Sequence, residues 1–252
     1  MQRYFIHLSY DGANYHGWQI QPNGNTVEET IERALTTLLR QPIDITGAGR
    51  TDTGVNASMM VAHFDADEHT VADCKQLAYR LNRMLPRDIA IHGISPVGSD
   101  MHARFSATSR TYHYYIHTTK SPFLGRYSWE VHYPLDFQLM NEAAQMLVGE
   151  RDFKCFCKAG ADVKTTICNV TDAHFEQIDG NFAEDRGDRH LFVITANRFL
   201  RNMVRAVVGT LVDVGRGRIT LDDFQRILET GSRSDAGESV PGYALFLSDI
   251  KY

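Results

Sequence analysis

The chain has 252 residues, 43% hydrophobic and 23% charged, which fits one or two folded domains and excludes a disordered tail, a collagen-like rod and a coiled coil. No apolar run approaches the roughly 18 residues of a membrane span, and the opening MQRYFIHLSYDG lacks an apolar signal core, so neither a membrane partner nor secretion is expected. The formal net charge of −5, taken alone, weighs against a nucleic-acid partner.

In chain order, residues 3–10 (RYFIHLSY) alternate as a strand. Asp11-Gly12 ends it and a polar loop runs to Asn25. Thr26-Val-Glu-Glu29 has capping-box spacing and opens a helix with Val27, Ile31, Ala34, Leu35, Leu38 and Leu39 on one stripe. Residues 43–46 form a short strand, Gly47–Gly54 a glycine-punctuated loop, and 58–64 a further strand. A helix over 73–85 turns Leu77, Leu81, Met84 and Leu85 inward, and 89–94 alternates as a strand. This is the split β-α-β order of ferredoxin-like α+β units.

The second half partly repeats the order. Residues 109–118 form an aromatic strand and 136–148 a helix. Strands 167–178 and 189–196 flank the polar turn Asp179–Asp188, as in a hairpin. Helices follow over 199–214 and 220–229, the second opened by Thr220-x-x-Asp223 and stopped by Gly231, and Tyr243–Leu247 is the closing strand. Pro96, Gly98 and Ser99 interrupt the pattern, so the expected domains are 1–100 and 101–252.

Charge is unevenly placed. The chain carries 20 Arg against 6 Lys, and the arginine fork suits phosphates and base faces. Residues 74–87 hold Lys75, Arg80, Arg83 and Arg87 with no acid. Residues 198–218 hold Arg198, Arg201, Arg205, Arg216 and Arg218 against Asp213 alone. A net-acidic protein can therefore own a basic face. Cys74, Cys155, Cys157 and Cys168 are too few for a disulfide scaffold, so buried free thiols in a reducing cytoplasm are expected. Metal binding by Cys155, Cys157, Cys168 and His174 is the disfavoured alternative, since zinc ligand pairs sit two to four residues apart.

Three stretches could carry chemistry. In Gly47-Ala48-Gly49-Arg50-Thr51-Asp52-Thr53-Gly54-Val55 the glycines allow tight turning and close approach. A plain surface turn explains it. So does a lone carboxylate acting as nucleophile beside an arginine. Asp-Thr-Gly also matches the aspartic-protease signature, but that chemistry needs a second carboxylate, which a homodimer would have to supply. No Gly-Lys-Ser/Thr follows, which excludes a P-loop. In the helix 199–214, Arg198, Arg201 and Arg205 at i, i+3, i+7 would share one face, with Met203, Val207, Leu211 and Val214 on another. Arg110, Tyr112 and Tyr114 alternate onto one side of a strand, where arginine and aromatics can stack bases. Core packing is the plainer reading for Tyr114 and Tyr115.

Taken together, these motifs resemble the TruA-type tRNA pseudouridine synthases from end to end. The matching pieces are Tyr10-Asp11-Gly12, Gly17-Trp18-Gln19-Ile20-Gln21, the loop Gly47–Val55, Ala103-Arg104-Phe105-Ser106-Ala107-Thr108 leading to Tyr112, and Phe199-x-x-x-Met203-Val204-Arg205-x-x-Val208-Gly209. The resemblance implies two RRM-like α+β domains with joined, mainly antiparallel sheets and a central cleft. It implies a homodimer that holds tRNA by its anticodon arm and converts uridines 38, 39 and 40 to pseudouridine, with no metal and no small-molecule cofactor. By motif, Asp52 would be the catalytic carboxylate and Tyr112 would stack on the target uracil. Arg205 would pair with Asp52, Arg50 would fill the gap left by the flipped nucleotide, and Arg104 would contact RNA. Arg110 joins these as a substrate-binding candidate. One departure is Asn56, where the resemblance implies His, which bears on local loop geometry or substrate preference. A non-catalytic RRM-like RNA-binding protein is the alternative, and it leaves Arg50-Thr51-Asp52 unexplained.

Overall fold

The structure, a computed structural model, describes residues 1–67, 69–158, 160, 163–178 and 189–252. By packing, the chain forms two units. One comprises Met1–Thr108 with Leu247–Tyr252, and the other Ser109–Phe246.

The first unit contains β1 (Gln2–Tyr10), α1 (Val27–Leu39), β2 (Ile45–Gly47), β3 (Asn56–Ala66), α2 (Cys74–Met84) and β4 (Ile89–Val97). Its sheet runs β4-β1-β3 with β2 on β3, every pairing antiparallel. That is the ferredoxin-like arrangement expected from the element order. The helix starts follow the capping logic. Thr26 Oγ1 accepts the Glu29 N–H, and the Asp73 carboxylate accepts those of Lys75 and Gln76. Ile6 and Leu8 of β1, Met60 of β3, Ile31 and Leu35 of α1 and Leu81 of α2 are wholly buried. The last strand, β10 (Leu245–Lys251), lends its C-terminal residues to this unit, where the Tyr252 hydroxyl donates to the Ala103 carbonyl.

The second unit contains β5 (Ser109–His117), β6 (Trp129–Glu130), α3 (Phe137–Gln145), β7 (Gly149–Asp152), β8 (Ile167–Gln177), β9 (Arg189–Ala196), α4 (Met203–Gly215) and α5 (Leu221–Thr230). Its sheet runs β5-β9-β8-β7 antiparallel, with β6 parallel on β5. Thr220 and Asp223 close a complete capping box at α5. Residues 179–188, read as a polar turn, lie outside the described residues.

Four sequence readings need correction. Met84, expected to turn inward, is 46% exposed at the end of α2. The helix expected over 199–214 starts at Met203, because Asn202 adopts the left-handed region (φ +65) that asparagine tolerates and a helix does not. Arg198 and Arg201 therefore precede the helix and share no helical face with Arg205. Nor is α4 amphipathic. Eleven of its residues are buried, from Met203 to Gly215, so it is a core helix. Finally, Tyr243 lies in a short 3-10 turn (Gly242–Ala244), and the closing strand begins only at Leu245.

All four cysteines are free, and Cys155, Cys157 and Cys168 are buried. Burial pushes the Cys155 and Cys168 thiols up to about 11. Among the described residues, no group of three or more His, Cys, Asp or Glu is placed to hold a metal, so Cys155, Cys157, Cys168 and His174 form no such cluster. Among the same residues, no helix is long and apolar enough to cross a membrane.

Candidate active site

In the first unit the glycine-punctuated loop is clamped onto residues 10–18. Two glycines make the close fit possible. A Cβ at Gly12 would overlap the Val55 carbonyl oxygen, and one at Gly17, whose φ is +90, would overlap that of Thr51. The Trp18 N–H donates to the Thr51 carbonyl at 3.4 Å, and the Gly54 N–H to the Tyr15 carbonyl at 3.3 Å. Beneath the loop, Tyr10 Oη and Thr51 Oγ1 share a buried hydrogen bond of 2.8 Å. Asn56 Oδ1, also buried, accepts the Gly12 N–H at 2.8 Å. Asn56 therefore fastens the two stretches together.

Asp52 rides on this clamp, half-buried, between a buried Thr51 and an exposed Thr53. Its main-chain carbonyl accepts the Val55 N–H at 3.1 Å, closing a turn that needs Gly54 at φ +74. The backbone is thus held on both sides of the carboxylate. Arg50 is exposed at the start of the same loop. Its charge faces Glu28, which accepts the Trp18 indole N–H at 3.1 Å and the Ile20 N–H at 2.8 Å. Burial raises the Glu28 carboxyl, while those two donors and Arg50 pull it back down. Arg104 lies elsewhere in this unit, exposed on the turn after β4.

In the second unit Tyr112 and Tyr114 point to the buried side of β5. Tyr112 packs edge-on against Phe199, with centroids 5.0 Å apart. Tyr114 is core: it is wholly buried, its hydroxyl donates to the Pro241 carbonyl at 3.1 Å, and burial raises its phenol well above the usual range. Tyr115 is half-buried and sits edge-on to Phe246. Arg110 donates to the Asn197 carbonyl at 2.9 Å.

Arg205 lies in the first turn of α4 and is held by residues 237–240. Its Nε–H donates to the Val240 carbonyl at 2.7 Å, and the Val240 N–H donates to the Arg205 carbonyl at 3.2 Å. The Gly237 N–H donates to Thr210 Oγ1, and Asn202 Nδ2 to Ser239 Oγ. A Cβ at Gly209 would overlap the Glu238 carbonyl oxygen, so the segment lies directly on the helix. The sequence marked Tyr10, Gly12 and Gly17 only as parts of matching motifs and Asn56 only as a departure from them, and it gave no sign of 237–240. The glycines in otherwise polar stretches are the signal that could have flagged them.

Comparison with known proteins identifies the family. A family model described as tRNA pseudouridine synthase matches residues 7–106 and 143–252. The tRNA pseudouridine synthase A of Bacteroides fragilis is 52% identical over 252 residues, covering all of this chain and 97% of that one. The protein of the same name from Acetivibrio thermocellus is 40% identical over 97% of each chain, and that from Geobacter sulfurreducens 38% over 97% of each. By both measures the chain belongs to the tRNA pseudouridine synthase family.

Proposed function

We propose that this protein isomerises uridine to pseudouridine in the anticodon arm of tRNA, at positions 38, 39 and 40, with Asp52 as its catalytic carboxylate. The observation that carries this reading is the clamped loop, which presents a single carboxylate on backbone fastened at both sides. The reaction breaks the bond from uracil N1 to ribose C1′, forms one from C5 to C1′, and moves a proton from C5 to N1. It is redox-neutral within one nucleoside, so it needs no oxidant. A carboxylate can serve it by attacking C1′, by attacking C6, or by taking a proton from the ribose. Each route needs that group held at one place against a detached base.

A base inside a stem is out of reach and must be flipped. Tyr112 stacks on the flipped uracil, Arg50 occupies the gap it leaves, and Arg205, Arg104 and Arg110 hold the surrounding RNA. The protein works as a homodimer in the cytoplasm, a setting that suits four free thiols. The test is to incubate unmodified tRNA transcripts with the protein and read pseudouridine by carbodiimide-dependent primer-extension stops. Stops at 38, 39 and 40 are expected. Their absence on every tRNA tried would overturn the activity, and stops elsewhere would overturn the positions.

A further inference from the structure

Phe105 is 77% exposed on the turn formed by residues 102–106. A phenylalanine left in water forgoes most of the stabilisation that burial would give it. A mobile turn could fold such a ring away. This turn is instead fixed from within and from below. The His102 N–H donates to Ser106 Oγ at 2.9 Å, and the Ser106 N–H returns to the His102 carbonyl at 2.9 Å. His102 Nδ1 accepts the N–H groups of Arg104 and Phe105, at 3.1 and 3.3 Å. His63 Nδ1 accepts that of Ala103 at 3.2 Å. The rings form a short pile: His63 to His102 is 4.6 Å between centroids, and His102 to Phe105 is 4.4 Å. Arg104 adds its guanidinium 5.6 Å from the Phe105 centroid.

An apolar ring held out on a fixed support, with a cation beside it, matches the two parts of an unpaired nucleotide. The ring offers a face for any base, and the guanidinium offers charge for the adjoining phosphate. A protein partner would be matched better by a contiguous apolar patch, whereas the neighbouring side chain Arg104 is charged and exposed. We propose that Phe105 is a stacking platform for an unpaired base of the tRNA substrate. This rests on the reading above that tRNA is the substrate, and it adds a contact that acts in binding.

The test compares the wild type with Phe105→Ala, Phe105→Leu and Phe105→Trp on a full-length unmodified tRNA transcript. Stacking of one base by an aromatic corresponds to about 5- to 150-fold in affinity. Phe105→Ala is therefore expected to weaken tRNA binding by that factor with an unchanged melting temperature. Phe105→Leu keeps apolar bulk without a π-face and is expected to fall with the alanine variant. Phe105→Trp is expected to bind within about threefold of wild type, and its added indole fluorescence to be quenched on titration with tRNA, beyond any change from Trp18 and Trp129. The slope of log affinity against log salt is expected to stay unchanged for Phe105→Ala and to drop by about one for Arg104→Ala. Wild-type affinity in Phe105→Ala, or a tryptophan that tRNA does not quench, would overturn the platform. So would light scattering showing that Phe105→Ala alters the oligomeric state, which would make Phe105 a subunit contact. Failure of the wild type itself to bind or modify tRNA would instead overturn the functional reading beneath it.

Discussion

The loop carrying Asp52 and the helix carrying Arg205 hold their charged side chains in opposite ways. The loop has little apolar substance and is fixed by glycine-permitted backbone contact and a few buried hydrogen bonds, Tyr10 to Thr51 and Asn56 to Gly12. The helix is fixed by burial of Met203, Val207, Val208 and Leu211, with one backbone carbonyl, that of Val240, aiming the guanidinium. Area drives the second and geometry the first. Damage to the loop should therefore appear chiefly in rate, and damage to the helix chiefly in stability.

The largest expected effect isolates the charge from its support. Asp52→Asn is isosteric and leaves every clamp contact named above in place. Single-turnover rates should fall by roughly 10⁴-fold, in the range seen when a group central to covalent catalysis is removed. Melting temperature and tRNA affinity should stay near wild type. A variant that turns over normally would remove Asp52 from the chemistry, and one that unfolds would show that the carboxylate is part of the clamp.

Next come the supports, probed by adding one methyl to each. Gly17→Ala places a Cβ on the Thr51 carbonyl in a backbone region that L-residues avoid, and Gly209→Ala places one on the Glu238 carbonyl within an ordinary helix. By propensity alone the second change should stabilise by about 1 kcal/mol. The contact reverses that sign, and a loss of about 1–3 kcal/mol in denaturant unfolding is expected. Gly17→Ala should cost a similar amount but lower the rate much further, because its strain falls one residue from Asp52. Equal losses of rate in the two would erase the distinction. Leu211→Ala sharpens it from the apolar side: a cost of about 2–5 kcal/mol is expected with the rate on folded protein nearly kept.

Much of this was legible in the sequence, for local reasons. Thr26 and Thr220 announce their helices because a cap needs only four residues, and the alternation in β1 and β5 needs only a strand's own length. The loop 47–55 stood out because glycines flank an acid and an arginine. What could not be read was long-range. Nothing near Gly12 or Gly17 says that Val55 and Thr51 will press on them, and nothing near Gly209 announces residues 237–240. The arginine count misled for the same reason. Lys75, Arg80, Arg83 and Arg87 all lie exposed on or just after α2; Arg218 is exposed too but pairs with Asp213 at 3.2 Å, and Arg216 lies over the Tyr133 ring at 3.7 Å. Equal local charge has unequal freedom, and only the fold decides which cations are spent internally.

Acid should load a third support. His63 is 7% exposed, and burial, followed by the charges of His102 and Arg3, lowers its imidazole to about 4. His102 is lowered as well, by burial first. Each accepts backbone N–H groups through Nδ1, which a protonated ring cannot do. Between pH 6.5 and about 4 the unfolded chain binds the proton that folded His63 refuses, so stability falls as pH falls through that window, by up to about 3 kcal/mol from His63. His63→Gln, which can still accept the Ala103 N–H, should flatten that part of the profile. An unchanged slope below pH 6.5 would show that His63 takes up its proton without leaving the fold.

The smallest change tests the comparison at its finest grain. Tyr10→Phe removes one hydroxyl and leaves the buried Thr51 Oγ1 without that partner. The loss should be about 1 kcal/mol, or about 2–4 °C in melting temperature for a chain of this size. Thr51 directly precedes Asp52, so freeing its side chain loosens the backbone that carries the carboxylate. Misplacement by an ångström can cost a hundredfold in rate, so kcat should fall several-fold while KM for tRNA stays put. That combination, a small cost in stability with a larger cost in kcat, is the mark of a loop held by geometry. If kcat is kept while the melting temperature drops, the hydrogen bond merely adds stability. The wedges at Gly12 and Gly17 would then position Asp52 by themselves.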